Sequence, residues 1–146
     1  MRGHFGIGIY HPKCSTNMGT LWRSAMIYDA DYIFTIGRRY QKQASDTLKT
    51  WRHMPLWNFA TFEDFCAHMP YGARLVCVEL AEGSQDLRAY KHHQRAVYLL
   101  GAEDHGIPPI IMEGYEILTI PSPEPFCLNV ATAGTLVLYD RYVKGD

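Results

Sequence analysis

Two stretches decide the fold: Val97-Tyr98-Leu99-Leu100-Gly101-Ala102-Glu103-Asp104-His105-Gly106-Ile107-Pro108-Pro109, and Ile117-Leu118-Thr119-Ile120-Pro121 with its continuation through residues 122–126 to Cys127-Leu128-Asn129-Val130-Ala131-Thr132-Ala133. Each is a short apolar run that stops at Gly, Pro or Asn. Open α/β sheets build their ligand sites beyond the carboxyl ends of such strands. Gly101 and Gly106 let backbone approach a ligand with no Cβ in the way. Asn129 stands where an N-cap belongs, ahead of a run of small residues. Alone, the two stretches predict a small-ligand site and nothing narrower.

Outward from them, the chain alternates strand and helix patterns. Residues 5–10 read as a buried first strand, whose Gly6 and Gly8 imply close backbone packing. Met18, Leu21, Trp22, Ala25 and Met26 follow at helical spacing. Residues 32–36 form a second strand ended by Gly37, and a long polar connection runs to His53. Residues 55–59 suit a short strand, and Thr61 with Glu63 and Asp64 opens a helix that stops before Pro70. Further strands are expected at 74–80, 97–100 and 116–120. A last helix covers 129–142, with Val130, Ala133, Leu136, Val137 and Tyr139 facing inward. The fold class is therefore α/β: an open, largely parallel sheet with helices on both faces, in a single domain of 146 residues.

Composition is 47% hydrophobic and 20% charged, as in ordinary globular proteins. No apolar run approaches the ~18 residues of a membrane span, and the first residues lack the apolar core of a secretion leader. A cytoplasmic protein is expected. Cys14, Cys66, Cys77 and Cys127 form no C-x-x-C pair and are read as free thiols. The seven His are scattered, and the adjacent His92 and His93 suit opposite faces of a strand, so no metal site is expected. Net charge is −1, so any affinity for nucleic acid must be local. Arg38, Arg39, Lys42, Lys49 and Arg52, against a lone Asp46, supply such a patch. Tyr40 and Trp51 lie within it as residues able to stack on bases. A plain solvated loop is the alternative.

One resemblance sharpens this reading. Asn17-Met18-Gly19-Thr20-Leu21-Trp22-Arg23 resembles the N-x-G-x-x-x-R motif of the SpoU/TrmH-type (SPOUT superfamily) RNA 2′-O-ribose methyltransferases. Gly101-Ala102-Glu103 with Gly106 resembles their second motif. Ile120-Pro121 with Leu128-Asn129-Val130 resembles their third. The three occur in family order over nearly the whole chain. Cys127 stands where the family usually has Ser, Ala131 replaces a second Ser, and the Ile-Pro loop is one residue short, without its usual Met and Gly.

The resemblance implies a carboxyl-terminal deep trefoil knot and a homodimer whose active site is completed near the subunit interface. It also implies S-adenosyl-L-methionine (SAM) as methyl donor and an RNA ribose 2′-hydroxyl as acceptor. Short stand-alone family members point to tRNA, with ribosomal RNA open. Arg23 and Asn17 are the implied catalytic residues. Arginine is a poor proton acceptor, so a clamp on phosphate and on charge growing at the 2′-oxygen is the role its chemistry favours. Val78, Gly101, Glu103, Ile120, Leu128 and Asn129 are the implied cofactor contacts, and Arg38, Arg39, Lys49 and Arg52 the RNA contacts. Asn17 and Asn129 have a second reading as helix N-caps, and Glu103 as a helix-start acid. A non-catalytic knotted RNA-binding scaffold remains the alternative. A nicotinamide-binding protein is poorly supported, because Gly6-x-Gly8 lacks the third glycine.

Overall fold

In the computed structural model, which describes residues 3–102 and 105–145, the apolar runs become seven parallel strands. They are β1 (His4–Tyr10), β2 (Tyr32–Ile36), β3 (Leu56–Phe59), β4 (Arg74–Val78), β5 (Gln85–Asp86), β6 (Arg95–Gly101) and β7 (Glu116–Thr119). Their order across the sheet is β3-β2-β1-β6-β4-β7-β5, and every pairing is parallel. The helices are α1 (Ser15–Ile27), α2 (Phe62–His68), a single turn α3 (Pro109–Met112) and α4 (Val130–Gly145). Thr61 caps α2, its side chain accepting from the Asp64 amide at 3.0 Å.

Strand side chains alternate between two cores. Ile7, Ile9, Ile33, Val76 and Tyr98 join Leu21 and Trp22 of α1 and Val137 and Leu138 of α4. Phe34, Leu75, Cys77 and Leu99 join Phe65 of α2 and Met112 of α3 on the other face. Burial on both faces is why these strands read as nearly unbroken apolar runs. Gly6 and Gly8 pair with Tyr32 and Phe34, and a Cβ at Gly8 would fall 2.5 Å from the Phe34 ring. The missing side chains make room for rings that stack outward on Trp57 and Phe65, at 4.6 and 4.7 Å.

One strand is added and three expectations are corrected. The two-residue strand β5 carries no pattern that a sequence reading can detect, and β4 stops at Val78 because Glu79 already turns toward β7. On α4 the inward stripe is Val130, Ala131, Gly134, Val137, Leu138 and Arg141. Leu136 and Tyr139 are instead 39% and 52% exposed, because the Gly134 side of the helix packs on Leu21 of α1. His92 and His93 lie in the connection ahead of β6, not on a strand.

That connection sets the local topology. Leaving β4, residues 79–84 pass beyond β7 to the edge strand β5, so β7 lies between two strands consecutive in the chain. Residues 87–94 then return to β6 across the end of α4. There Lys144 donates to the carbonyls of Leu87 and Tyr90, and Arg141 to those of His93 and Gln94.

Candidate active site

The carboxyl ends of β4, β6 and β7 open into a cavity of about 270 Å³. Val78, Gly101, Ile120 and Leu128 all line it, so four of the six implied cofactor contacts converge. Glu103 lies outside the described residues. Phe126 and Leu128, on the β7–α4 segment, are 75% and 43% exposed. Apolar side chains left in water beside a concavity mark a surface that a ligand or partner covers.

The β6–α3 loop doubles back on itself, Gly106 donating to the Ala102 carbonyl at 3.0 Å. Gly106 has φ +63°, a left-handed conformation that favours glycine. A Cβ on Gly101 would sit 2.6 Å from the Gly106 backbone. Glu79 fixes this loop. One carboxylate oxygen accepts from the Ile107 amide at 3.0 Å and the other from the Leu80 amide at 3.2 Å. Its own amide donates to the Leu118 carbonyl at 3.1 Å, and its carbonyl accepts from the Thr119 hydroxyl at 2.8 Å. Glu79 thus ties the ends of β4 and β7 to the β6–α3 loop. Sequence reasoning missed it, since an acid after an apolar strand looks like any surface turn.

Asn129 is not itself among the cavity-lining residues, although its neighbours Leu128 and Val130 are; it caps α4, its side-chain oxygen accepting from the amides of Ala131 (2.9 Å) and Thr132 (3.2 Å). Its amide group donates to the side-chain oxygen of Asn17 at 3.1 Å, across 112 residues of chain. Asn17 itself is not an N-cap. Cys14 holds that position, without a side-chain bond, and Asn17 sits within the first turn of α1. Its carboxamide faces Asn129, so the first and third motifs meet next to the cavity-lining Leu128 and Val130.

Arg23 is not among the cavity-lining residues. Six residues beyond Asn17, it lies about 9 Å farther along α1 and about 240° around it. It is exposed, and among the described residues its side chain makes no hydrogen bond or ion pair within the chain. Four residues on, Ile27 is 58% exposed and shares its helix face. The adjoining Tyr28 ring meets those of Tyr139 and Tyr142 on α4, each at 6.1 Å. Together with Val143, 50% exposed, these residues make an open apolar patch.

The basic stretch is only partly free. Arg38 donates to the carbonyls of Pro12 (3.3 Å) and Lys13 and to the Ser15 hydroxyl, holding the entry to α1. Tyr40 is no stacking platform. Its ring packs edge-on against Trp22 at 5.9 Å and its hydroxyl donates to the buried Asp46. Asp46 also accepts from the amide and hydroxyl of Thr50. Trp51 is half-buried under Lys42 (4.0 Å) and Arg52 (5.1 Å). Lys49 and Arg39 are exposed, and Arg39 borders a separate groove with Trp57 and His68.

No group of His, Cys, Asp or Glu suited to a metal occurs among the described residues. Nor is any helix among them long and apolar enough to cross a membrane. All four cysteines are free.

The model of the SpoU rRNA methylase family matches residues 4–139. A solved structure that concerns the 2-OH methylation of C/U34 on tRNA superposes with TM-score 0.86 at 24% identity, covering 100% of both chains. An AdoMet-bound rRNA methyltransferase from Sinorhizobium meliloti superposes at 0.84 with 24% identity, over 96% of this chain and 56% of that one. The TrmH/SpoU tRNA modifying enzyme from A. aeolicus gives 0.84 with 18% identity, over 96% of this chain and 74% of the other. No curated protein sequence matches the chain at a significant level.

Proposed function

Because the chain belongs to the SpoU rRNA methylase family, we propose that it is a SAM-dependent RNA 2′-O-methyltransferase, a homodimer acting on tRNA in the cytoplasm. One observation carries the reading: the Asn17–Asn129 contact joins the first motif to the third, beside a cavity lined by residues of the second and third. The likeness to the neighbour concerned with C/U34 on tRNA, which covers 100% of both chains, supports a tRNA substrate. We also read the passage of β7 between β4 and β5 as the trefoil knot that the family resemblance implies.

The cavity suits the donor. Val78, Leu100, Ile120 and Leu128 offer apolar walls to an adenine, and the glycines at 101 and 106 line the same cavity without side chains to obstruct it. When bound, the donor supplies an electrophilic methyl on a sulfonium that departs as a neutral thioether. The protein's task is then alignment of a weak nucleophile, which can contribute on the order of 7–11 kcal/mol. Asn17 and Asn129 are bonded to each other next to the cavity-lining Leu128 and Val130. Arg23 shares a helix face with the apolar patch of Ile27, Tyr139, Tyr142 and Val143. Pairing of that patch with a second copy brings its guanidinium to the neighbouring cavity, where it holds RNA phosphate and the developing 2′-oxyanion.

Ribose-methylation mapping of tRNA and ribosomal RNA incubated with the chain and SAM tests this reading. One 2′-O-methylated tRNA nucleotide is expected. Methylation of ribosomal RNA alone would overturn the substrate class. Calorimetry showing no binding of SAM or its demethylated product would favour the non-catalytic scaffold.

A further inference from the structure

We propose that Glu79 is a specificity-determining residue that makes the cavity prefer the cationic methyl donor to its neutral thioether product; the inference rests on the SAM reading above. Among the described residues that line the cavity, Glu79 is the one carboxylate, and none is Lys or Arg. A carboxylate offers about four lone-pair sites, and the two amide bonds to Leu80 and Ile107 leave the rest open. Those bonds and its backbone links to Leu118 and Thr119 hold the charge in place at the junction of two strand ends and the β6–α3 loop. The side chain is half-buried, where water screens a charge less than on an open surface.

Methyl transfer breaks the bond from sulfur to the methyl carbon, forms a bond from that carbon to the ribose oxygen, and leaves the breaking pair on sulfur. The hydroxyl proton passes to solvent or a nearby acceptor. The bound ligand therefore loses its methyl group and, with it, one positive charge. A fixed carboxylate attracts the donor and loses that attraction once transfer is complete, which favours release of product over release of substrate. The same carboxylate shapes the loop, so both roles operate, but only the electrostatic one distinguishes the two ligands.

Calorimetry with SAM and with S-adenosylhomocysteine, on wild-type chain and Glu79→Gln, tests the assignment. The amide keeps the shape and one acceptor oxygen while removing the charge. The expected result is a fall of about tenfold in the ratio of the two affinities, equivalent to about 1.4 kcal/mol of lost attraction to the sulfonium. Product affinity should stay within about twofold, since that ligand carries no sulfonium. If both affinities fall together and the ratio holds, Glu79 only shapes the loop and the proposal is overturned. Failure of wild type to bind either ligand instead overturns the SAM reading, and this one with it. Should Glu79→Gln not fold, the wild-type ratio at low and high salt serves. It should narrow as salt rises, and a salt-independent ratio overturns the proposal.

Discussion

The two ends of the sheet solve the same problem in opposite ways. At the amino end, residues 87–94 and the last turns of α4 close over a polar cluster satisfied from within. The Arg141 guanidinium donates to the His93 and Gln94 carbonyls and to the Tyr98 hydroxyl, and lies over the Phe5 ring at 4.3 Å. His92 is bonded to Tyr98 at 2.6 Å and to Asp140 at 2.7 Å, and Asp140 also pairs with Lys144. At the carboxyl end the chain turns on glycines, leaves Phe126 and Leu128 in water, and holds its loops through Glu79. A closed network stabilises the fold, whereas an open end with fixed loops waits for a ligand.

Substitutions should respect that division. The largest effect belongs to the closed end. Arg141→Met removes the donor from one buried and two part-buried acceptors, and we expect a loss of about 3–5 kcal/mol in denaturant unfolding. Affinity for SAM should be unchanged wherever the variant is folded. Next comes Arg23→Ala, with a fall of about 10²–10³-fold in methyl transfer and SAM affinity within about twofold of wild type. Equal loss of both would remove Arg23 from catalysis. Asn129→Ala crosses the division by deleting both a cap and the contact with Asn17. It should cost about 1 kcal/mol of stability and weaken SAM binding as well.

Smaller effects sharpen the picture. Lys49→Ala with Arg52→Ala should reduce RNA affinity severalfold and flatten its salt dependence by about 0.7–0.9 per cation. Arg38→Ala should act mainly on stability, since that guanidinium is spent on Pro12, Lys13 and Ser15. The smallest effect is a pH dependence. Burial pushes the His92 imidazole below its ordinary pKa, against the pull of Asp140. The unfolded chain therefore binds the extra proton first. Stability from this group is complete above about pH 6.5 and is lost as pH falls from there through the folded pKa, at most about 1.4 kcal/mol per pH unit. Comparing wild type with His92→Asn between pH 5 and pH 8 isolates it, and equal slopes would argue against a buried neutral imidazole.

Much of this was legible in residue order. Apolar runs named six of the seven strands because burial on both faces leaves no alternation to confuse the reading. The cavity contacts Val78, Gly101, Ile120 and Leu128 were legible because strand ends and motif order coincide. What stayed hidden depends on partners far away in the chain. Asn17 looks like a cap until Asn129 is brought beside it, and Tyr40 like a base-stacking ring until Trp22 covers it. Glu79 carries no local mark, since its role exists only where two strand ends and the β6–α3 loop meet. Leu136 and Arg141 exchanged roles on α4 because the site of approach to α1, not hydrophobicity, chose the inward face.

The sulfur atoms turn this architecture into its own reporter. Burial, with Glu79 nearby, pushes the Cys77 thiol up to about 12, so it stays unreactive until the sheet opens. Cys14 is exposed and Cys127 edges the cavity. Timed alkylation read by mass spectrometry would therefore separate three clocks in one tube: bulk reagent at Cys14, occupancy at Cys127, and global unfolding at Cys77.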